Sequence, residues 1–290
     1  MIRKRIFAAF AVALVTAGAV TAAVVTGTDE PAAIQPAAST VPAFDHIVLV
    51  MFENKKYSSI NGSSSAPYFN TLASQSAKFT SSYAITHPSQ PNYVALFSGA
   101  TQGVTDDSCP ANLGAKANLG RQLIDAGKTF KGYSEAMPSD GYTGCSSGTY
   151  RRKHNSWVDF SNVPAASNVR FSGFPSDFTQ LPTVSFVTPD MCSDMHDCSV
   201  GTGDTWLKKN LDAYAQWAKT HNSLLITTFD EDSNTSVNQI FTTFTGANVK
   251  VGSYSESINH YTVLRTIEAA YGLPGIGNAA SKSPILDVWQ

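Results

Sequence analysis

The sequence predicts an α/β protein built on a mostly parallel central sheet with helices on both faces. Apolar runs of strand length alternate with helical patterns, the rhythm that lays crossover helices on both sides of parallel strands. Two of these runs, 47–52 and 224–229, end in acidic or amide residues: Glu53-Asn54 and Asp230-Glu231-Asp232. Ligands bind outside the C-terminal ends of strands in open α/β sheets, so this placement reads as a cation site. In Thr86-His87-Pro88-Ser89-Gln90-Pro91-Asn92-Tyr93 a hydroxyl stands between two prolines at the entrance to a helix. The free N–H groups of a first helical turn, with the helix dipole, favour an anion such as phosphate there.

In chain order, Met1-Ile2-Arg3-Lys4-Arg5 leads into an apolar, Ala- and Val-rich stretch, the pattern of a secretory signal peptide over 1–26. A stretch of roughly 20 residues is also long enough to remain as a membrane anchor. Small residues at Ala22 and Ala23 favour cleavage, and no other stretch is long enough to span a bilayer. Residues 27–42 are Ala, Pro, Thr and Ser with little bulk and read as a disordered linker. One domain of roughly 245 residues follows over 43–290, enough to bury a large core. The expected location is extracellular, without stable membrane association once the leader is removed.

Within the domain, strands are predicted near 45–52, 79–85, 129–134, 183–188, 223–229 and 239–244, and helices near 66–77, 91–98, 117–126, 203–219 and 260–271. The last helix is the clearest, because Tyr261, Val263, Leu264, Ile267, Ala270 and Tyr271 fall mainly on one face. The stretch 135–182, rich in Gly, Ser, Asn and Pro, breaks the rhythm and reads as an insertion or a substrate-facing cap. Twenty Lys+Arg against 22 Asp+Glu nominate neither nucleic acid nor an anionic membrane as partner. Four cysteines in an oxidising compartment imply two disulfides. Cys192 with Cys198 closes a short loop, and Cys109 with Cys145 then ties two loop-rich segments together. A zinc cluster is the competing reading, but neither pair has the tight spacing of such sites.

Oxygen-bearing side chains at strand ends and in loops (Glu53, Asn54, Asp190, Asp194, Asp230 and Glu231) suit a divalent cation. The histidines gather in loops that also hold carboxylates. His196 sits between Cys192 and Cys198, and His260 begins the last helix. His87 flanks Ser89, and His154 follows Arg151-Arg152-Lys153, where a substrate anion would meet positive charge. His46 and His221 read as packing or capping residues.

Four ordered segments then carry a resemblance: Phe44-Asp45-His46-Ile47-Val48-Leu49-Val50-Met51-Phe52-Glu53-Asn54, Pro88-Ser89-Gln90-Pro91-Asn92-Tyr93, Ser193-Asp194-Met195-His196-Asp197 and Asn259-His260-Tyr261. Over about 44–275 the chain resembles the phosphoesterase family of bacterial phospholipases C and acid phosphatases, similar in fold to the alkaline phosphatase superfamily. The resemblance implies an alkaline phosphatase-like fold, with Ser89 as nucleophile and Asn92 on the phosphoryl oxygens. It implies a divalent metal, of open identity and number, on Glu53, Asn54, Asp230 and Glu231. His196 and His260 would bind phosphate, transfer protons or complete a second metal site.

That chemistry is coherent, because a serine hydroxyl is a weak nucleophile until a metal or base activates it. The expectation is a secreted, metal-dependent phosphomonoesterase working through a phosphoserine on a small phosphoester. A phospholipase C-like phosphodiesterase is the first alternative, and an inactive secreted binding protein the second. The phospholipases of the family are longer, with added C-terminal domains, which favours the monoesterase. A sulfatase is disfavoured because Tyr93 stands where that class carries Arg.

Overall fold

In the computed structural model, residues 40–290 are described. The expected signal peptide over 1–26, and the linker as far as residue 39, lie outside them. Along the chain run β1 (His46–Phe52), α1 (Tyr57–Ile60), α2 (Pro67–Ala73), β2 (Ala77–Tyr83), α3 (Ser89–Ser98), α4 (Leu119–Asp125) and β3 (Phe130–Ser134). A two-stranded hairpin of β4 (Ser146–Ser147) and β5 (Tyr150–Arg151) follows, then β6 (Asn168–Arg170), β7 (Val184–Thr188), α5 (Val200–Ala218), β8 (Ser223–Phe229), β9 (Thr242–Gly246), β10 (Gly252–Asn259) and α6 (His260–Ala270).

Eight strands form one sheet in the order β10-β2-β9-β8-β1-β7-β3-β6. Every neighbouring pair is parallel except those involving β9, which runs antiparallel to both β2 and β8. The sheet is therefore mostly parallel, with one reversed strand. β1 lies inside it, with Ile47 opposite Val184 on one side and Leu224 on the other.

The continuous apolar run of β1 has a direct cause: it is buried on both faces. Ile47, Leu49 and Met51 enter the core that also holds α3 and α6 residues such as Val94, Phe97, Leu264 and Ile267. Val48, Val50 and Phe52 enter the opposite core with Phe69 of α2 and Leu207 and Leu211 of α5. A strand with a helical layer on each side has no wet face, so its residues need not alternate. α6 opens on a capping box in which the Asn259 side chain accepts from the Tyr261 and Thr262 amides and Thr262 Oγ accepts from the Asn259 amide.

Apolar-run reading misses β10, whose sequence GSYSESIN alternates exposed and half-buried residues along the sheet edge. The cap-like stretch 135–182 holds the small hairpin, several single 3₁₀ turns and the edge strand β6. The cysteines pair as Cys109–Cys145 and Cys192–Cys198, with Cα separations of 5.8 and 4.7 Å.

Candidate active site

The C-terminal ends of β1 and β8 lie side by side, Phe52 opposite Phe229, so Glu53-Asn54 and Asp230-Glu231 leave the sheet at one place. The Asp230 amide donates to the Phe52 carbonyl at 2.9 Å. Asn54 turns the chain in the left-handed region (φ 44°), which asparagine tolerates better than most residues, and its amide donates to Asp230 Oδ1 at 3.0 Å.

Ser89 is the first residue of α3, a helix whose ten residues are all buried. Its Oγ lies 2.9 Å from Glu53 Oε2, 3.2 Å from Asn54 Oδ1 and 3.2 Å from Glu231 Oε1. Three segments distant in sequence thus meet on one hydroxyl. One helical turn on, the Tyr93 hydroxyl donates to the other Glu53 oxygen, so two residues on one face of α3 grip both oxygens of a single carboxylate. His154, buried and stacked on the Tyr93 ring at 5.0 Å, brings Nε2 to 3.2 Å from Glu53 Oε1 and Nδ1 to 3.5 Å from Asp194 Oδ2. Glu53, His154 and Asp194 form a buried group whose ligand atoms lie within 4.8 Å of one another.

Two histidines brace the Asp230-Glu231 pair from behind. His87 Nδ1 pairs with Glu231 Oε2 while its Nε2 lies 3.0 Å from the Thr235 carbonyl. His260 is buried, and its Nε2 donates to the Asp230 carbonyl at 2.7 Å. Asn92 is buried too: its oxygen accepts from the Ile85 and Thr86 amides, and its nitrogen donates to the Thr86 and Pro88 carbonyls. All four of its hydrogen bonds fix the turn leading into Ser89, which leaves none for a ligand.

The loop 190–198 is tied to β1 by the Glu53 amide, which donates to the Asp194 carbonyl at 2.9 Å. Asp190 does not reach the oxygens around Ser89. Its carboxylate accepts from the Cys192 and Ser193 amides and from Thr149 Oγ, and so folds the loop itself. Asp194 is the loop carboxylate that joins the site. The His196 amide donates to Asp194 Oδ1, its Nδ1 pairs with Asp197 Oδ1 at 2.7 Å, and its ring centre lies 6.5 Å from that of His154. Gly203 lets this loop close, since a Cβ there would meet Met195 Cγ at 2.5 Å and the Ser193 carbonyl at 2.9 Å. The first turn of α3 is less open to an anion than its sequence implies, because Asp107 Oδ1 already accepts the Gln90 amide at 2.9 Å.

Burial governs the titration of the site. Burial, reinforced by the charges of Asp230 and Asp194, holds Glu53 well above the usual carboxylate range. Burial, with Glu231 adding to it, pushes Asp230 up to about 7, and burial pushes Asp194 up to about 8. Burial also drives His154 well below its ordinary value and His260 down to about 4, so both imidazoles are neutral near pH 7. For His87, burial pulls downward, but the Thr235 carbonyl and Glu231 outweigh it and raise the pKa.

Carboxylates crowded this way call for a cation. The Asn54 side-chain oxygen faces only oxygens: 2.9 Å to Glu53 Oε2, 3.2 Å to Ser89 Oγ and 3.3 Å to both Asp230 carboxylate oxygens. Either the amide turns its nitrogen inward, or a positive ion lies among them. The all-oxygen set of Glu53, Asn54, Ser89, Asp230 and Glu231 fits a hard divalent ion. Neutral His154 with Asp194 adds a nitrogen and oxygen flank suited to a transition ion.

Sequence reading passed over two residues here, Tyr93 as the grip on Glu53 and Asp107, and it did not separate Lys153 from Arg151 and Arg152. Only Tyr93 had a usable signal, its place four residues after Ser89 on a helix.

A helix-flanked sheet with a serine and carboxylates at its C-terminal edge defines the class, and comparison with known proteins supplies the family. The model of the phosphoesterase family matches residues 63–274. A phosphatidylinositol-3-phosphatase of Mycobacterium tuberculosis is 52% identical over 255 residues, covering 87% of this chain and 85% of the relative. An acid phosphatase of Aspergillus fumigatus is 30% identical, covering 85% of this chain but 59% of the fungal protein, so the chain spans less than two thirds of that relative. An alkaline phosphatase superfamily protein from Vibrio parahaemolyticus shares the fold with a TM-score of 0.60 at 13% identity, covering 90% of this chain and 76% of the other. The chain belongs to the phosphoesterase family and is a hydrolase of phosphoester bonds.

Proposed function

We propose that the chain is a secreted, metal-dependent phosphomonoesterase that works through a phosphoserine at Ser89. One observation carries this reading: Ser89 Oγ stands within 3.2 Å of Glu53, Asn54 and Glu231, which come from two segments far from it in the sequence. A divalent ion held by Glu53, Asn54, Asp230 and Glu231 would supply Lewis acidity, lowering the serine pKa and neutralising a phosphoryl oxygen.

The chain's own residues do the rest. Ser89 Oγ attacks phosphorus in line with the leaving oxygen, and its proton passes to Glu231 Oε1, 3.2 Å away. His87, paired with the other Glu231 oxygen, keeps that carboxylate oriented. Tyr93, with His154 stacked on its ring, holds Glu53 against Ser89. His196, partly exposed and anchored through Nδ1 on Asp197, protonates the leaving alcohol from Nε2. In the second step His196 takes a proton from water as it attacks the phosphoserine, and Ser89 recovers its proton from Glu231. His260 and Asn92 act at one remove, on the Asp230 carbonyl and the turn before Ser89.

The monoester reading agrees with the names of the relatives, one of which denotes a monoester on a lipid headgroup. The two disulfides fit an oxidising compartment, and among the described residues no helix is long and apolar enough to cross a membrane. The test compares an aryl monophosphate, phosphatidylinositol 3-phosphate, a bis-aryl phosphodiester and a choline phospholipid, each with wild type and Ser89→Ala. Monoester cleavage that disappears in Ser89→Ala is expected, together with a transient covalent phosphate on the wild-type chain. Preferential cleavage of the choline phospholipid would move the assignment to a phospholipase C.

A further inference from the structure

Arg151, Arg152 and Lys153 come in sequence just before His154, yet their charges go to different places. The Arg152 guanidinium donates to Asp159 Oδ1 and the Thr143 carbonyl, and Arg151 donates to the Gly148 and Tyr150 carbonyls. Both are used in folding the hairpin. Lys153 instead donates to Asp107 Oδ2 at 2.6 Å, and Asp107 Oδ1 accepts the amide of Gln90 at 2.9 Å, the residue after the nucleophile.

The ammonium group is thereby moored beside the first turn of α3. Its side chain is 14% exposed, and its charge acts on Glu53 and His154 and feels Asp230. Lys55, another cation near the site, donates to the Met195 carbonyl at 2.9 Å, on the side of the 190–198 loop.

An ammonium carries three donors, so Lys153 can keep Asp107 and still offer a proton to a ligand. The ligands of this site differ in what they could offer it. A fully ionised phosphomonoester has three non-bridging oxygens and two negative charges. A phosphodiester has two such oxygens and one charge. We propose, resting on the hydrolase reading above, that Lys153, moored on Asp107, binds the additional anionic oxygen of a monoester and so selects monoesters over diesters. Asp107 is its positioning residue and ties it to the amide next to Ser89. A dianion arriving there meets a pre-placed cation, whereas a diester presents an esterified oxygen that gains little from it.

The experiment uses the whole chain as wild type, Lys153→Met, Lys153→Arg and Ser89→Ala. It measures kcat/KM for an aryl monophosphate and a bis-aryl phosphodiester, and competitive inhibition by orthophosphate and by dimethyl phosphate. Lys153→Met is expected to lower monoester kcat/KM by about 10–100-fold, the range of a lost charge-assisted hydrogen bond, and to weaken orthophosphate inhibition in parallel. Diester kcat/KM and dimethyl phosphate inhibition are expected to stay within about threefold, and Lys153→Arg to recover most of the monoester loss. If Lys153→Met does not fold, Lys153→Gln takes its place. Equal losses on both esters would show a structural role and overturn this inference alone. So would unchanged monoester kinetics. A wild type inert towards both esters, indistinguishable from Ser89→Ala, overturns the hydrolase reading and this inference with it.

Discussion

The two walls of the site are built differently. One wall is the sheet edge: Glu53 and Asn54 after β1, Asp230 and Glu231 after β8, fixed by strand register and by backbone bonds such as Asp230 to Phe52. The other wall is made of loops, 104–116, 142–160 and 190–198, which carry Asp107, Lys153, His154, Asp194 and His196. Each loop region is pinned by a disulfide, Cys109–Cys145 or Cys192–Cys198. The sheet wall is set mainly by strand register over the hydrophobic core, with side-chain braces such as Tyr93 on Glu53 and His87 on Glu231, while the loop wall relies on cross-links. On the proposed mechanism the first would activate the nucleophile and the second would handle the phosphoryl charge and the leaving group. Changes to the two walls should therefore fail in different ways.

The largest effect is expected at the nucleophile. Ser89→Ala should lower turnover by about four orders of magnitude or more while the melting temperature changes by only a few degrees, measured by kinetics and calorimetry. Next comes the sheet wall. Asp230→Ala should lose both bound metal and activity, read by elemental analysis and by assay. His46→Ala, which loses only a bond to the Pro182 carbonyl and packing on Trp217, should keep both. Equal losses in the two variants would break the separation of site from scaffold.

This contrast also explains what could be read from the sequence. β1 and β8 announce themselves because burial on both faces makes each a continuous apolar run, and the acids that end them stand out. Loops give no such signal. Asp190 and Asp194 look alike in sequence, and only the folded loop shows one capping its own backbone and the other turned towards Glu53 and His154. Asn92 has the right place for a phosphate ligand, but its four hydrogen bonds to the preceding turn appear only in three dimensions. Lys153 could not be told from its arginine neighbours, because what separates them is an aspartate 46 residues earlier. β10 hides for the opposite reason to β1, since an edge strand open to solvent is free to be polar.

The loop wall should yield to loss of its cross-links. Replacing Cys109 and Cys145 with serine releases a 36-residue separation and should cost about 4 kcal/mol by loop-closure entropy, against about 2 kcal/mol for the six-residue separation of Cys192 and Cys198. Denaturant titration measures both. Activity should follow the site instead: metal retention in the Cys109→Ser/Cys145→Ser protein should persist at concentrations of denaturant too low to unfold the sheet. Early metal release there would show that the sheet wall depends on the loops after all.

The smallest effect concerns how the sheet wall answers to pH. His260 has its folded pKa lowered to about 4 by burial, against an ordinary value of 6.5. Above about pH 6.5 it is neutral in both states and adds no pH dependence. As pH falls from 6.5 towards 4 the unfolded chain takes up a proton that the folded chain refuses, so this residue removes stability across that window. Asp230 and Asp194, raised to about 7 and 8, work in the other direction: their folded forms keep protons that the unfolded chain releases as pH rises. A single stability curve mixes these slopes, but a difference curve separates them. His260→Gln can still reach the Asp230 carbonyl with an amide nitrogen, and its packing cost does not vary with pH. Wild type should therefore lose ground to the variant steadily between pH 6.5 and 4, measured as urea midpoints, and the two should run parallel above pH 7. A parallel offset over the whole range would mean that His260 titrates alike in the folded and unfolded chain, so that burial does not lower its pKa.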